Sequence, residues 1–351
     1  MNAPSTRQPS AALFQALPKV ELHRHLEGSL RLETLVEIAS QYGLGDASRG
    51  SLGPLVQVGA AEPLTFRNFL SKFETLRRFY RSPEVIQRIT REAIADAAAD
   101  NVRYLELRFT PAALSKAQNF PLAEIMDWVL AGVAQAGAAS GMVTRLIASL
   151  NRHEPFELAE QVVSLAVERK ARGILGIDVA GNEASHPDLD RFAGLLAEAR
   201  QAGLGLTIHC SEWSGAQNTA QAIVLYHADR IGHGVRVMED ADAVALARET
   251  GTPFEVCLTS NLHTGAISDL AEHPLRQMLN AGLNVTLNTD DPSISQITLS
   301  QELQLACERL ALTLAGLRQR MLAAAQAAFI PPAERTALSL RLAQEFDQVV
   351  G

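Results

Sequence analysis

Cysteine is scarce in this chain: 351 residues include only Cys210, Cys257 and Cys307, with no Cys-x-x-Cys pair. That excludes a disulfide scaffold and a thiolate zinc site, and it fits a reducing compartment. No apolar run approaches the roughly 20 residues of a membrane span. The polar, Pro- and Ser-containing segment Met1–Ala12 also lacks the continuous apolar core of a secretory signal. The expectation is a soluble, cytoplasmic protein with no membrane partner. No Lys/Arg run is long enough to grip a phosphate backbone, and the net charge is −8 with a pI near 5.6, so a nucleic-acid partner is excluded. No Gly-x-Gly-x-x-Gly or phosphate-loop pattern follows a strand-like run, which removes support for a nucleotide cofactor. With 47% hydrophobic and 20% charged residues, neither disorder nor a fibrous repeat is indicated.

What is present begins with Pro18–Leu30. Val20, Leu22, Arg24 and Leu26 alternate with Glu21, His23, His25 and Glu27, the period of a β-strand whose successive side chains point to opposite faces. His23 and His25 therefore share a face, close enough to bind one metal ion. Gly28 ends the strand where a turn or a ligand needs close backbone approach.

Helical spacing follows over Leu30–Gly43, then a Gly/Ser/Ala-rich loop to about Ala61, then helical patterns over Thr65–Tyr80 and Pro83–Ala99. This interval is longer than one βα unit needs, so residues of about 44–100 are expected to form a helical insertion, a lid over the first strand's C-terminal end. From Val102 strand-like runs recur at Val102–Phe109, Val143–Leu150, Ile174–Val179, Leu204–Cys210, Arg230–Val235, Phe254–Thr259 and Asn284–Asn288. Helical patterns alternate with them: Leu122–Ala139, Phe156–Arg172, Leu189–Ala202, Ala216–His227, Ala241–Thr250 and Leu270–Ala281. With the first strand this makes eight units, which argues for an α/β protein of the (β/α)8 TIM-barrel class, with an open doubly wound sheet as the alternative. The tail from about 299 to 350 reads as extra C-terminal helices, and no boundary divides residues 1–351 into more than one domain.

His209 and Glu212 fall at the end of the fifth strand, His233 at the end of the sixth, and Asp290 and Asp291 at the end of the eighth. In a barrel those ends converge on the face where active sites are built. His23, His25, His209 and Asp290 make a ligand set suited to Zn²⁺ with a position left for water, and Glu212 and His233 would then handle protons. Asp291, ahead of Pro292, also fits a helix cap. His153, His186, His227, His263 and His273 lie in loops or helices and read as surface or supporting residues, and the Met and aromatic residues read as core.

These residues resemble the adenosine deaminase family of the amidohydrolase superfamily over nearly the whole chain. The motifs that carry it are Pro18-Lys-Val-Glu-Leu-His-Arg-His-Leu-Glu-Gly28, Tyr104-Leu-Glu-Leu-Arg-Phe109, Gly176-Ile-Asp-Val-Ala-Gly-Asn-Glu183, His209-Cys-Ser-Glu212, Gly232-His-Gly234 and Asn288-Thr-Asp-Asp-Pro292. The resemblance implies one catalytic Zn²⁺ per chain on His23, His25, His209 and Asp290. It implies that Glu212 gives a proton to purine N1, that His233 orients and deprotonates the attacking water, and that Asp291 and the Gly181 backbone hold the purine's other edge, with His25 and Glu27 also facing the substrate. The partners implied are a small 6-aminopurine and water, the reaction a hydrolytic deamination releasing ammonia. The family usually carries Asp in place of Glu27 when it acts on adenosine and Glu when it acts on adenine, whereas Thr264-Gly265 resembles the nucleoside-handling branches. Asn182, Ser211 and the Pro-free Cys257–Asn261 also depart from the common pattern. A purine nucleoside is the expected substrate, with aminodeoxyfutalosine, adenine, or a non-catalytic purine-binding barrel as alternatives.

Overall fold

The alternating strand-like and helical runs build one eight-stranded parallel sheet in the computed structural model, which describes residues 10–351, with strands in the order β1 to β8. Residues 1–9, most of the segment read above for a secretory signal, lie outside the described residues. The strands are β1 (Lys19–His25), β2 (Val102–Phe109), β3 (Val143–Asn151), β4 (Ile174–Ala180), β5 (Gly205–Cys210), β6 (Arg230–His233), β7 (Pro253–Val256) and β8 (Asn284–Leu287). Asp290, just past β8, bridges back to Arg24 of β1. The Asp290 amide donates to the His23 carbonyl at 2.9 Å and the Asp290 carbonyl accepts from the His25 amide at 2.8 Å, so the sheet closes at these three residues. The architecture is the expected (β/α)8 barrel.

Strands covered on both faces read as nearly unbroken apolar runs, and the outward residues here obey that rule: Leu105, Leu107, Ile177, Val179 and Ile208 are fully buried. The inward residues do not. Arg108 donates to Glu255 at 2.8 Å, Arg230 donates to Glu255 at 2.6 Å, and Arg230 pairs with Glu106 at 2.6 Å, all inside the barrel. Breaking one partner of a buried pair costs about 3–5 kcal/mol, so this ladder holds the carboxylates behind the catalytic face in place. Arg108 holds Glu255 well below the usual carboxylate range, against the opposing effect of burial.

The long interval between β1 and β2 differs in two respects from its sequence reading. Where a loop to Ala61 is expected, Arg49–Val56 is helical. Ser48 accepts the Ser51 amide as its cap, and Leu52 and Val56, one turn apart, are buried; Gly50, Gly53 and Pro54 obscure that period in the sequence. Pro83–Ala99, placed in the lid by sequence, packs instead on the helix Leu122–Ser140 and on β2 as a member of the outer ring. The part over the barrel mouth is Phe66–Leu76 with the short 3₁₀ turn Arg77–Phe79. Gly265, at φ +72°, lies against it: a Cβ there would sit 2.6 Å from the Leu64 carbonyl oxygen.

Two strands are shorter than the apolar runs suggest. β6 stops at His233 because Gly234 turns left-handed at φ +65°. β7 stops at Val256, and the helix Leu258–His263 follows, its first amides accepted by the buried Glu302 at 2.8 and 3.1 Å. The tail forms helices Leu299–Leu310, Leu314–Ala327 and Pro332–Val350. Val20 and Leu22 of β1 share a buried apolar cluster with Ala324, Ala325 and Leu342 of that tail. Among the described residues no helix is long and apolar enough to cross a membrane.

Candidate active site

The C-terminal strand ends bring four histidines and two aspartates to one floor. His23 Nε2 and His25 Nε2 each lie 3.2 Å from Asp290 Oδ1, and His25 Nε2 lies 3.3 Å from His209 Nε2. One donor atom each from His23, His209, His233 and Asp290 fall within 4.8 Å of one another. The rings are fixed from behind: His23 Nδ1 meets Glu255 at 2.8 Å, and His209 Nδ1 meets Asp178 at 2.8 Å. A carboxylate on Nδ1 sets the tautomer and leaves Nε2 its lone pair, the arrangement of metal-ligating imidazoles. His23 Nε2 is buried with no hydrogen-bonding partner among the described residues. A divalent cation satisfies such an atom, so the cluster could hold a metal.

His233 is different. Its Nδ1 faces the Asn261 amide nitrogen at 3.1 Å, and the Asn261 carbonyl oxygen faces His273 Nε2 at 3.3 Å. The His233 Nε2 points at Glu212 (3.7 Å) and Asp290 (3.8 Å). His233 and Asp290 both sit in the left-handed region, at φ +58° and +67°. Non-glycine residues persist there where surrounding structure over-determines them, as at reactive sites.

Burial divides the carboxyl groups into two kinds. Asp290 is held well below its usual range because His23 and His25 outweigh burial. Glu212 is pushed well above it by burial, then by the charges of Asp290 and Glu183, and Asp291 is raised by burial and by Asp290 and Glu27. Glu27 is also raised, by burial. Burial and neighbours thus push Asp290 in one direction and Glu212, Asp291 and Glu27 in the other, a separation of roles typical of acid–base sites. Burial likewise pushes His233 well below its ordinary value, keeping it neutral.

Glu27, Asp291, Gly181, Glu212, His25 and His233 line one cleft of about 670 Å³ together with His209 and Asp290 of the His/Asp cluster. Gly28 has a defined part: a Cβ on it would fall 1.8 Å from Asp291 Oδ1. Asp291 occupies the start of a short helix, but its side chain makes no capping bond and Oδ1 is buried without a partner among the described residues. The capping alternative for Asp291 therefore fails.

Other residues of the site escape sequence reading. Asp178 and Glu255 orient ligand rings, Ser260 donates to Asp290 at 2.6 Å, and His273 orients Asn261. Asp178 stands alone in an apolar strand, and a lone buried carboxylate must be paired; that is the signal that could have found it. Glu183 accepts the backbone amides of Ser211, Glu212, Trp213 and Ser214. Thr264, read by resemblance as nucleoside-handling, donates its hydroxyl to Glu212 Oε1 at 3.0 Å. Phe69 belongs to the core as expected and also lines the cleft, whereas Trp213, which lines the cleft and stacks on Phe66 at 5.1 Å, lies outside the core.

Comparison with known proteins agrees with this geometry. A family model described as adenosine deaminase matches residues 18–345. An adenosine deaminase of Erwinia tasmaniensis is 33% identical over 330 residues, 93% of this chain and 98% of the relative. A solved amidohydrolase from Burkholderia ambifaria with bound Zn superposes with a TM-score of 0.87 at 28% identity, covering 99% of this chain and 96% of that one. An adenine deaminase of Arthrobacter aurescens superposes with a TM-score of 0.86 at 26% identity, covering 95% and 99%.

Proposed function

Because the chain belongs to the adenosine deaminase family of hydrolases acting on C–N bonds, we propose that it removes the 6-amino group of a purine nucleoside with water, releasing ammonia. The observation that carries this reading is the pairing of a His/Asp metal cluster with a buried, neutral Glu212 on the same cleft wall. His23, His25, His209 and Asp290 are the residues that would hold Zn²⁺, and the partnerless His23 Nε2 fits that role. When bound, the ion supplies Lewis acidity and lowers the pKa of water beside it from 15.7 to about 7.

The chain's own groups do the rest. Glu212 Oε1 is occupied by the Thr264 hydroxyl at 3.0 Å and the Asn261 amide at 3.4 Å, both donors, so its proton resides on Oε2. From there it reaches purine N1, and protonation of N1 makes C6 electrophilic; positioned acids contribute about 10²- to 10⁴-fold. His233, whose Nε2 lies 3.7 Å from Glu212 and 3.8 Å from Asp290, is assigned to orienting the attacking water and taking its proton, which passes on to the departing amino group as ammonia leaves. Asp291, kept neutral, can donate to a purine ring nitrogen, and the Gly181 backbone lies on the same wall. Free adenine stands as a second reading, because Glu27 Oε2 is buried without a partner on the cleft wall beside the expected sugar position.

The test is ammonia release from adenosine and adenine by zinc-loaded protein, run with two variants. His209→Ala is expected to lose metal and activity together. Glu212→Gln is expected to keep the metal and lose at least about 10²-fold in kcat. Absence of ammonia from any 6-aminopurine overturns the reaction, and a metal-loaded Glu212→Gln with near-normal kcat overturns the role of Glu212.

A further inference from the structure

Beyond the metal floor, the cleft is walled by Arg77, which also lines a second cavity of about 770 Å³ immediately beside it. That cavity gathers Arg77, Arg78, Arg81 and Lys116 against a single carboxylate, Glu74. Among the described residues none of the four cations has an ion-pair or hydrogen-bond partner in the protein, and Arg77 Nε and Arg81 Nε are buried with nothing to donate to. Arg108, Arg152 and Arg230 each donate other N–H groups to oxygens of the chain, although Arg108 Nε and Arg152 Nε are likewise without a partner; what sets the half-buried Arg77 and Arg81 apart is that none of their N–H groups finds one among the described residues. The Arg81 guanidinium also lies 5.8 Å over the Tyr42 ring, which fixes its plane.

Like charges gathered without carboxylates repel one another, and in a chain of net charge −8 their concentration at one rim is a local reversal of sign. Guanidinium forks match the oxygens of phosphate and carboxylate in a bidentate manner, and Lys adds a point charge. The cluster is assembled from two segments: the arginines come from the turn after the lid helix Phe66–Leu76, and Lys116 from the end of the helix Pro111–Ser115 that follows β2. Glu212 and Asp290, where the amino group would react, line the cleft but not this second cavity.

We infer that this second cavity is an anion subsite of the catalytic cleft, and that the substrate is a 6-aminopurine carrying a phosphate or carboxylate remote from its amino group. The inference rests on the deaminase reading for the orientation of the purine. An anion at this position satisfies both buried Nε–H groups and neutralises the cluster, while the purine occupies the apolar wall of Phe69 and Phe73.

The experiment compares kcat/KM of the zinc-loaded full chain for adenosine, adenosine 5′-monophosphate and adenosine 5′-carboxylate at low and physiological salt. One or both anionic substrates should exceed adenosine by about 10- to 100-fold, the range expected of charge-assisted bonds, and the advantage should shrink with added salt. Whether phosphate or carboxylate wins identifies the group. Arg77→Gln, Lys116→Gln and the exposed Arg78→Gln should each lower the anionic-to-neutral ratio through KM. Adenosine matching or beating both anions, or a ratio that survives all three substitutions, overturns the subsite. Calorimetric binding of inosine 5′-monophosphate against inosine separates the two proposals: tighter nucleotide binding without turnover keeps the subsite and sinks the deaminase reading, whereas equal binding sinks the subsite.

Discussion

Replacing Glu183 by Gln tests whether the acid at the reacting centre is positioned by a residue that never touches substrate. Glu183 is 1% exposed, and its Oε1 accepts the amides of Glu212 (2.7 Å), Trp213 and Ser214 (2.8 Å) while Oε2 accepts that of Ser211 (2.8 Å). These bonds wrap the backbone of the segment after β5 around one carboxylate and thereby set the direction of the Glu212 side chain. A Gln in the best orientation keeps its oxygen at Oε1, which turns its NH₂ against the Ser211 amide, donor facing donor. A stranded buried donor costs about 1–3 kcal/mol, and the three remaining bonds lose their charge assistance, so roughly 2–4 kcal/mol in total is expected. For a chain of this length that lowers the apparent Tm by roughly 3–5 °C. The kinetic effect is separate: displacement of Glu212 by about 1 Å costs on the order of 10²-fold. The assay is steady-state kcat and KM on the best 6-aminopurine, with bound zinc measured by atomic absorption and Tm by calorimetry. Full metal content, a lowered Tm, a kcat down about 10²-fold and a little-changed KM are expected. A lowered Tm with kcat within about threefold of the parent protein would refute the reasoning, since Glu183 would then serve stability alone.

Two further predictions probe neighbouring features. Gly28→Ala places a Cβ 1.8 Å from Asp291 Oδ1 without any backbone penalty, so Asp291 must swing away; overpacking of about 1–3 kcal/mol is expected, with a raised KM for the purine, and an unchanged KM would show that Asp291 does not contact substrate. Glu302, whose carboxyl is raised by burial from 4.5 to about 7, binds its proton more tightly folded than unfolded. The folded state therefore loses stability as pH rises from about 4.5 to 7, by at most about 3 kcal/mol. Denaturant unfolding of Glu302→Gln across that window should show a flatter profile than the parent, and parallel profiles would contradict it.

The repeating strand and helix periods made the barrel legible, because each strand need only announce itself locally and the right-handed βαβ rule then orders the sheet. The same logic exposed His23, His25, His209, His233, Asp290 and Asp291, since every one of them stands at a strand end and a barrel gathers those ends. Boundaries blurred where local pattern and tertiary context compete. Gly50, Gly53 and Pro54 hid the helix Arg49–Val56, and the apolar run into Thr259 concealed a helix whose first amides are satisfied only by the distant Glu302.

Residue types, their spacing and their order along the chain were thus enough to determine the fold class and the kind of chemistry, because both depend on periodicity and on which strand each residue ends. What the tertiary structure alone decided is pairing across long separations: Glu183 beneath the Glu212 backbone, Asn261 between His233 and His273, Thr264 on Glu212, and Lys116 brought beside Arg77. A carboxylate or cation carries no mark in the sequence of the partner it will meet. Its charge state and its role follow from burial and from neighbours that exist only once the chain has closed on itself.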